Sequence, residues 1–310
     1  MKINDNIHDA ANLGFVISQT TSIEQKVLEK KYPAITYQRD IPVDTSAHPW
    51  ASSITFFSSD KTGAAKVING RGDDIPMANV TLSKFEAPVS MAAIGYSFSL
   101  EEVGQAMMLG MNLDSMGADS ARLAYEKFVD NVAYLGDSTM NNGATGLFNN
   151  ASVTTASATG AWSGLTPAQI LADVNTLLSG GYSASLGVEV YDTLRLPLAV
   201  FGYLASTPVS TSNNTTILEF IKANNVFTAQ TGTPLNIRAD YRLVSGYGGL
   251  SATRAVAYTK DPDAIKLHLP MPLRFLPVDT EGLDYVVPGM FRLAGVDIRR
   301  TGAIRYMDGV

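Results

Sequence analysis

Apolar residues recur at three-and-four spacing through the middle of the chain: Leu113, Met116, Ala121, Ala124, Tyr125, Phe128, Val132 and Leu135. That spacing buries one face of a helix, and residues 113–135 as a helix would span on the order of 35 Å. A shorter helical piece precedes it. Ser99-Leu100-Glu101-Glu102 fits a capping box, in which the serine oxygen takes the N–H three residues on and Glu102 reaches back. Gly110 and Asn112 break or kink the junction of the two pieces. A second clear helix, over 166–179, has Thr166 as N-cap, Pro167 at its first position and Gln169 to complete the box, with Ile170, Leu171, Val174, Leu177 and Leu178 facing inward.

Strand signals dominate on either side. "ITFFSSDKTGAAKVI" and "VTLSKFEAPVSMAAIGYSFS" flank the polar tip "NGRGDDIPMAN". The first of these would extend roughly 50 Å if fully stretched, and a two-stranded ribbon alone in water is marginal. Such a ribbon needs its own domain or another subunit to lie on. Further on, "GVEVYDTLRLPLAVFGYLAST" reads as strand, then helix from about Pro197, and "NNTTILEFIKANN" as a helix capped near Thr215 or Thr216. "TPLNIRADYRLV" and "RAVAYTK" read as strands joined by the glycine-rich turn "SGYGGLS". The last forty residues read as long strands bent at prolines and at Glu281-Gly282. Residues 1–50 read as an arm: "TTSIEQKVLEKKY" makes a short helix, and Pro33, Pro42 and Pro49 punctuate an extended stretch suited to the outside of a sheet. With no internal repeat, the class is α+β.

Composition narrows the chemistry. No apolar run approaches the ~20 residues of a membrane span, and "MKINDNIHDAANLGF" lacks the order of a signal peptide, so a soluble, cytoplasmically made protein with no membrane partner is expected. Charged residues are 17% of the chain against 45% apolar, which points to surface buried between subunits. The absence of cysteine excludes disulfides and thiolate metal sites, and the three histidines, His8, His48 and His268, are far apart. A net charge of −6, without a Lys/Arg cluster, does not suit a protein that grips nucleic acid.

Candidate sites have bland competitors. After the long helix, "GDSTMNNGATGLFNN" could be a metal loop or a helix stop with a tight return. Gly136 is a natural C-terminal cap, and Asn141, Asn142 and Gly143 are turn formers. Asp137, Asn141 and Asn142 do not meet the alternating spacing of a calcium loop, and no glutamate follows before residue 189. Arg71-Gly72-Asp73 matches an adhesion tripeptide but suits a ribbon tip. "GYGGLS" lacks the spacing and lysine of a phosphate loop. The acid pairs Glu101-Glu102 and Asp73-Asp74 offer no shared face for acid–base work. Catalytic, cofactor-binding and metal residues are therefore assigned as none, and no cofactor is expected.

The order of elements resembles a family. Arm, long ribbon, long helix with a "GD…GATGLFNN" return, a Thr-Pro helix, an inserted α/β region and closing strands are similar to a tailed-bacteriophage major capsid protein of the Hong-Kong-97-like fold, which encapsulins share. "YPAITYQRDIPVDTSAHPWASSITFFSSDKTGAAKVI", "DDIP", "DTLRLP" and "TTILEFIKANN" resemble one branch of phage capsid proteins in particular. The resemblance implies an N-terminal arm (1–50), an extended β-ribbon loop (51–98), a peripheral domain with the spine helix (99–184), an axial domain (185–265) and closing strands of the peripheral domain (266–310). It implies self-assembly through pentamers and hexamers into an icosahedral shell around double-stranded DNA, formed in the host bacterial cytoplasm. A separate scaffolding protein, a portal and decoration proteins are the partners it implies. Lys61, Lys66 and Lys84 lie in the loop, and no one of them stands out as a cross-linking residue. An encapsulin-like cargo shell and a soluble α+β enzyme are the alternatives.

Overall fold

The computed structural model describes residues 32–67, 75–109, 113–140 and 144–310, and everything from Ile35 onward forms one compact unit. The helix expected over 20–32, the Arg71-Gly72-Asp73 tip, Asp74, the Gly110–Asn112 break, the Asn141-Asn142-Gly143 turn and His8 lie essentially outside the described residues.

The spine helix runs Leu113–Leu135, as its periodicity predicts, and a helix over Leu100–Leu109 precedes it. The capping box holds: Ser99 N donates to Glu102 Oε2 at 2.9 Å, and Glu102 N to Ser99 Oγ at 3.2 Å. Met116 differs from its expected inward place and is exposed, while its neighbour Gly117 is buried. A Cβ at Gly117 would stand 2.6 Å from ring atoms of Tyr96 and Phe98, so those aromatics take the space a side chain would fill.

The C-terminal end of the spine helix is closed by its own continuation. Gly136 adopts φ +72°, which a side chain disfavours. The chain then doubles back: Leu147 N donates to Ala133 O, Phe148 N to Tyr134 O, and Asn149 Nδ2 to Leu135 O at 2.6 Å. These bonds take up carbonyls that a helix end leaves unpaired. Leu147 and Phe148 are fully buried by the return.

A five-stranded mixed sheet divides the body. Its order is Asn236–Asp240, Thr193–Pro197, Arg254–Tyr258, Ile304–Asp308, Thr155–Ser157. Side chains alternate across a strand, so each strand serves two cores. Val256, Tyr258, Ile304 and Tyr306 face the spine helix and its return. Ala255, Ala257, Met307, Leu194 and Leu196 face a second core built with Trp162 and the helix Pro167–Ala184. Thr166 and Gln169 cap that helix reciprocally, as expected. Its length differs: it continues five residues past 179, through Gly180 and Gly181. A Cβ at 180 would meet the Arg305 guanidinium at 2.5 Å, and one at 181 the Tyr191 hydroxyl at 2.1 Å. The paired glycines make room for packing and do not mark a stop. Thr216 caps Ile217–Asn224.

Two further expectations change. The closing region is not built of long strands. It consists of short ones, Ile265–His268, Met271–Phe275, Asp279–Glu281, Asp284–Val287, Gly289–Leu293, Gly295–Ile298 and Ile304–Asp308, spread over four sheets. Pro270, Pro277 and Pro288 fall between them and interrupt any ladder. The bend at Glu281-Gly282 is a hairpin turn, with Gly282 at φ +67°. The stretch after Pro33 is not extended throughout either. Tyr37–Asp40 is one helical turn with Tyr37, Asp40 and Ile41 buried, and Val43–Asp44 is the edge strand beside Ile265–His268.

Candidate interaction surface

The ribbon pairs Ser53–Thr62 with Asn79–Pro88 antiparallel over ten residues in unbroken register. Among the described residues, neither strand pairs with anything else. Directly opposed residues share a face. One face carries Ile54/Ala87 and the stacked pair Phe56/Phe85, with ring centroids 5.1 Å apart, then turns polar at Ser58/Ser83 and Asp60/Thr81. Arg299 covers Phe56 at 4.4 Å, so this face is tied to the body at its base. The opposite face carries Phe57, Leu82 and Val80, which are 70%, 68% and 61% exposed. An apolar row therefore runs toward the tip, and none of the described residues lies over it. Lys84 and Glu86, 3.4 Å apart, rim that row.

The ribbon's base is well held. Ser90–Ala93 pairs with Gly289–Leu293, and Tyr96–Ser99 with Asp284–Val287. Arg292 Nη1 donates to Pro49 O at 2.9 Å. The lever is fixed where it leaves the body, and beyond that no other described strand pairs with it.

A second feature, missed in the sequence, is a buried charged junction. Thr36 N and Tyr37 N both donate to Asp130 Oδ1, at 2.9 and 3.0 Å, so the spine helix caps the arm's helical turn. The other oxygen of Asp130 pairs with Arg242, which also reaches Asp240 at 3.2 Å and lies between the Tyr134 and Tyr241 rings, 4.4 Å from each. Arg195 pairs with Asp40, and Tyr134 donates to Asp40 Oδ2 at 2.7 Å. Burial works to raise the Asp40 carboxyl, but hydrogen bonds from Arg39 and Tyr134 and the charge of Arg195 outweigh it and lower it. Burial raises Asp240, and Arg242 offsets only part of this. The sequence signal was there: Asp130 interrupts an apolar helix face, and Arg195 sits at an inward position of "TLRLP".

The remaining candidates disperse. Asp137 accepts from Thr139 N and Oγ1, both at 2.8 Å, a local turn. Glu101 accepts from Gln105, and Glu102 is the cap. "GYGGLS" is a turn whose Gly246, Gly248 and Gly249 have positive φ, and Gly248 packs against Leu135. Lys61 and Lys66 are exposed along the ribbon, and Lys84 is paired with Glu86. His48 accepts from Trp50 N, and His268 is buried. An open cavity of about 510 Å³ beside the spine helix holds Tyr37, Arg122 and Glu126, but the Tyr37 hydroxyl is already bonded to Glu126 at 2.8 Å. Among the described residues, no group of three His, Asp or Glu could hold a metal ion, and no helix is long and apolar enough to cross a membrane.

Comparison with known proteins agrees with this picture. No curated protein sequence matches the chain. Its fold is similar to the capsid of Myoviridae phage XM1, with TM-score 0.78 and 19% identity over 94% of this chain and 98% of that one. It is also similar to the capsid of a native GTA particle, with TM-score 0.66 and 12% identity over 99% of each chain. A virus-like particle from Pyrococcus furiosus matches at TM-score 0.52 and 12% identity, over 99% and 100% of the two chains. The profile of the family described as Major capsid protein matches residues 63–310. A capped spine helix, a body divided by one sheet and a bare projecting ribbon are the Hong-Kong-97-like fold, and this chain belongs to the major capsid protein family.

Proposed function

We propose that this capsid protein assembles through rings of five and six into a closed icosahedral head around double-stranded DNA. The observation that carries the reading is the ribbon, ten paired residues long, with an apolar row that the other described residues leave uncovered. Laid on an adjacent copy, that row loses its exposure to water, at roughly 25 cal/mol per Å². Contact of the ribbon face of one copy with a different face of the next is heterologous, and such contacts close into rings.

In this reading, residues 1–50 are the arm, 51–98 the extended loop, 99–184 with 266–310 the peripheral domain, and 185–265 the axial domain. The acidic balance of −6 lets DNA be packed without adhering to the wall. A separate scaffolding protein, a portal and decoration proteins complete the particle, which forms in the host bacterial cytoplasm. Its nature as a phage head rather than a cargo shell is favoured by the greater likeness to the phage XM1 capsid than to the Pyrococcus particle.

Negative-stain microscopy of the purified protein, with and without its scaffold, tests the proposal. Capsomers, tubes or shells are expected. A monodisperse monomer at high concentration in both conditions overturns it.

A further inference from the structure

His268 is only 1% exposed, and each of its ring nitrogens faces a carboxylate. Nε2 lies 3.3 Å from Asp297 Oδ2 on the neighbouring strand Gly295–Ile298. Nδ1 lies 3.5 Å from Asp44 Oδ2 on the arm strand Val43–Asp44 and has no hydrogen-bond partner among the described residues. The other charged groups at this place are Lys266, 3.5 Å from Asp44, and Arg299, whose Nε is 3.0 Å from Asp297. Ser46 donates from its backbone N and its hydroxyl to the remaining oxygen of Asp44.

A neutral imidazole has one donor nitrogen and one acceptor nitrogen, while the imidazolium has two donors. Between two carboxylates, the neutral ring must turn a lone pair toward one of them. The protonated ring can donate to both. We propose that His268 is a proton-operated latch that fastens the arm strand to the body.

The main chain at this point is slender. Leu267 N donates to Pro42 O at 2.8 Å and Leu269 N to Asp44 O at 2.9 Å, and the arm strand is two residues long. A side-chain bridge from Asp44 therefore decides much of how firmly the strand is held. Only eight residues separate Asp44 from Ser53, where the ribbon begins, so the latch holds the chain just ahead of the ribbon. With the proton on, His268 on the middle strand ties the edge strand Val43–Asp44 to Gly295–Ile298 on the far side. With the proton off, the ring has one N–H for two carboxylates; kept on Nε2 for the nearer Asp297, it leaves Lys266 as the only cation beside Asp44 among the described residues. The inference goes beyond shell formation and holds for a single copy.

Hydrogen exchange at the Leu267 and Leu269 amides of the full chain, from about pH 5 to pH 8, tests it. Protection of Leu269, relative to His268→Gln at each pH, should fall about tenfold across this range, the size of one charge-assisted hydrogen bond. The glutamine variant should show the weaker, pH-independent protection throughout. Equal protection in the two proteins at every pH overturns the latch. A second measurement needs no variant. The ¹⁵N signals of the His268 ring should change with the same midpoint as Leu269 protection, and a step in protection with no change at the ring also overturns the proposal.

Discussion

The ribbon and the charged junction place side chains against expectation in opposite directions. On the ribbon, Phe57, Leu82 and Val80 stand in water. In the junction, Asp40, Asp130, Arg195, Asp240 and Arg242 are buried. The junction answers to its own chain: every charge has a partner, and the partners come from the arm, the spine helix and the inserted region. The ribbon's apolar row has no counterpart among the described residues. A subunit that must be rigid before assembly and adhesive during it separates the two tasks in this way. The buried charges join the arm to the body, and in the proposed assembly the exposed apolar row is left for another copy.

Breaking the junction should have the largest effect on the isolated subunit. Asp130→Ala leaves Arg242 short of a buried counter-charge and two arm N–H groups unpaired, and should cost about 3–5 kcal/mol in urea unfolding. The next effect is at the helix return. Gly146→Ala would place a Cβ 2.2 Å from the Tyr134 backbone, which cannot yield as a side-chain end can, and should cost about 1–3 kcal/mol by the same measurement. Thr166→Ala removes one cap and should cost about 1 kcal/mol. The double change Phe57→Ser with Leu82→Ser sharpens the contrast. Subunit stability should stay within about 0.5 kcal/mol, while sedimentation shows loss of capsomers and shells. A large drop in subunit stability instead would mean that the row packs on its own body.

Acid distinguishes the two regions as well. The Asp40 carboxyl is lower in the folded protein than its ordinary 3.8. Its contribution is therefore present above that value and is lost as pH falls through the lowered one. The stability difference between the wild type and Asp40→Asn should shrink as pH drops below about 4, measured by denaturant unfolding at each pH.

Much of the fold was legible where local rules act alone. Leu113–Leu135 followed from its apolar spacing, and the boxes at Ser99 and Thr166 from residue type at fixed offsets, while of the two candidate caps Thr215 and Thr216 the structure selects Thr216. The ribbon followed from two strand-like runs around a polar tip. The misreadings have a common cause. The helix expected to end at 179 runs on through Gly180-Gly181, where Arg305 and Tyr191, distant in sequence, take the space a side chain would fill. The closing strands looked long because each short piece is strand-like, and only pairing to different sheets divides them.

By itself the sequence determined most of the local elements, the presence of the ribbon and, through the order of those elements, the family. These depend on neighbours a few residues apart, whose spacing the chain states directly. Only the tertiary structure decided that one sheet serves two cores, that Asp130 and Arg195 meet charges from the arm and the inserted region, and that His268 lies between Asp44 and Asp297. Those pairings join residues up to hundreds of positions apart, and a buried charge reveals its partner only when the backbone has brought the two within a few ångströms.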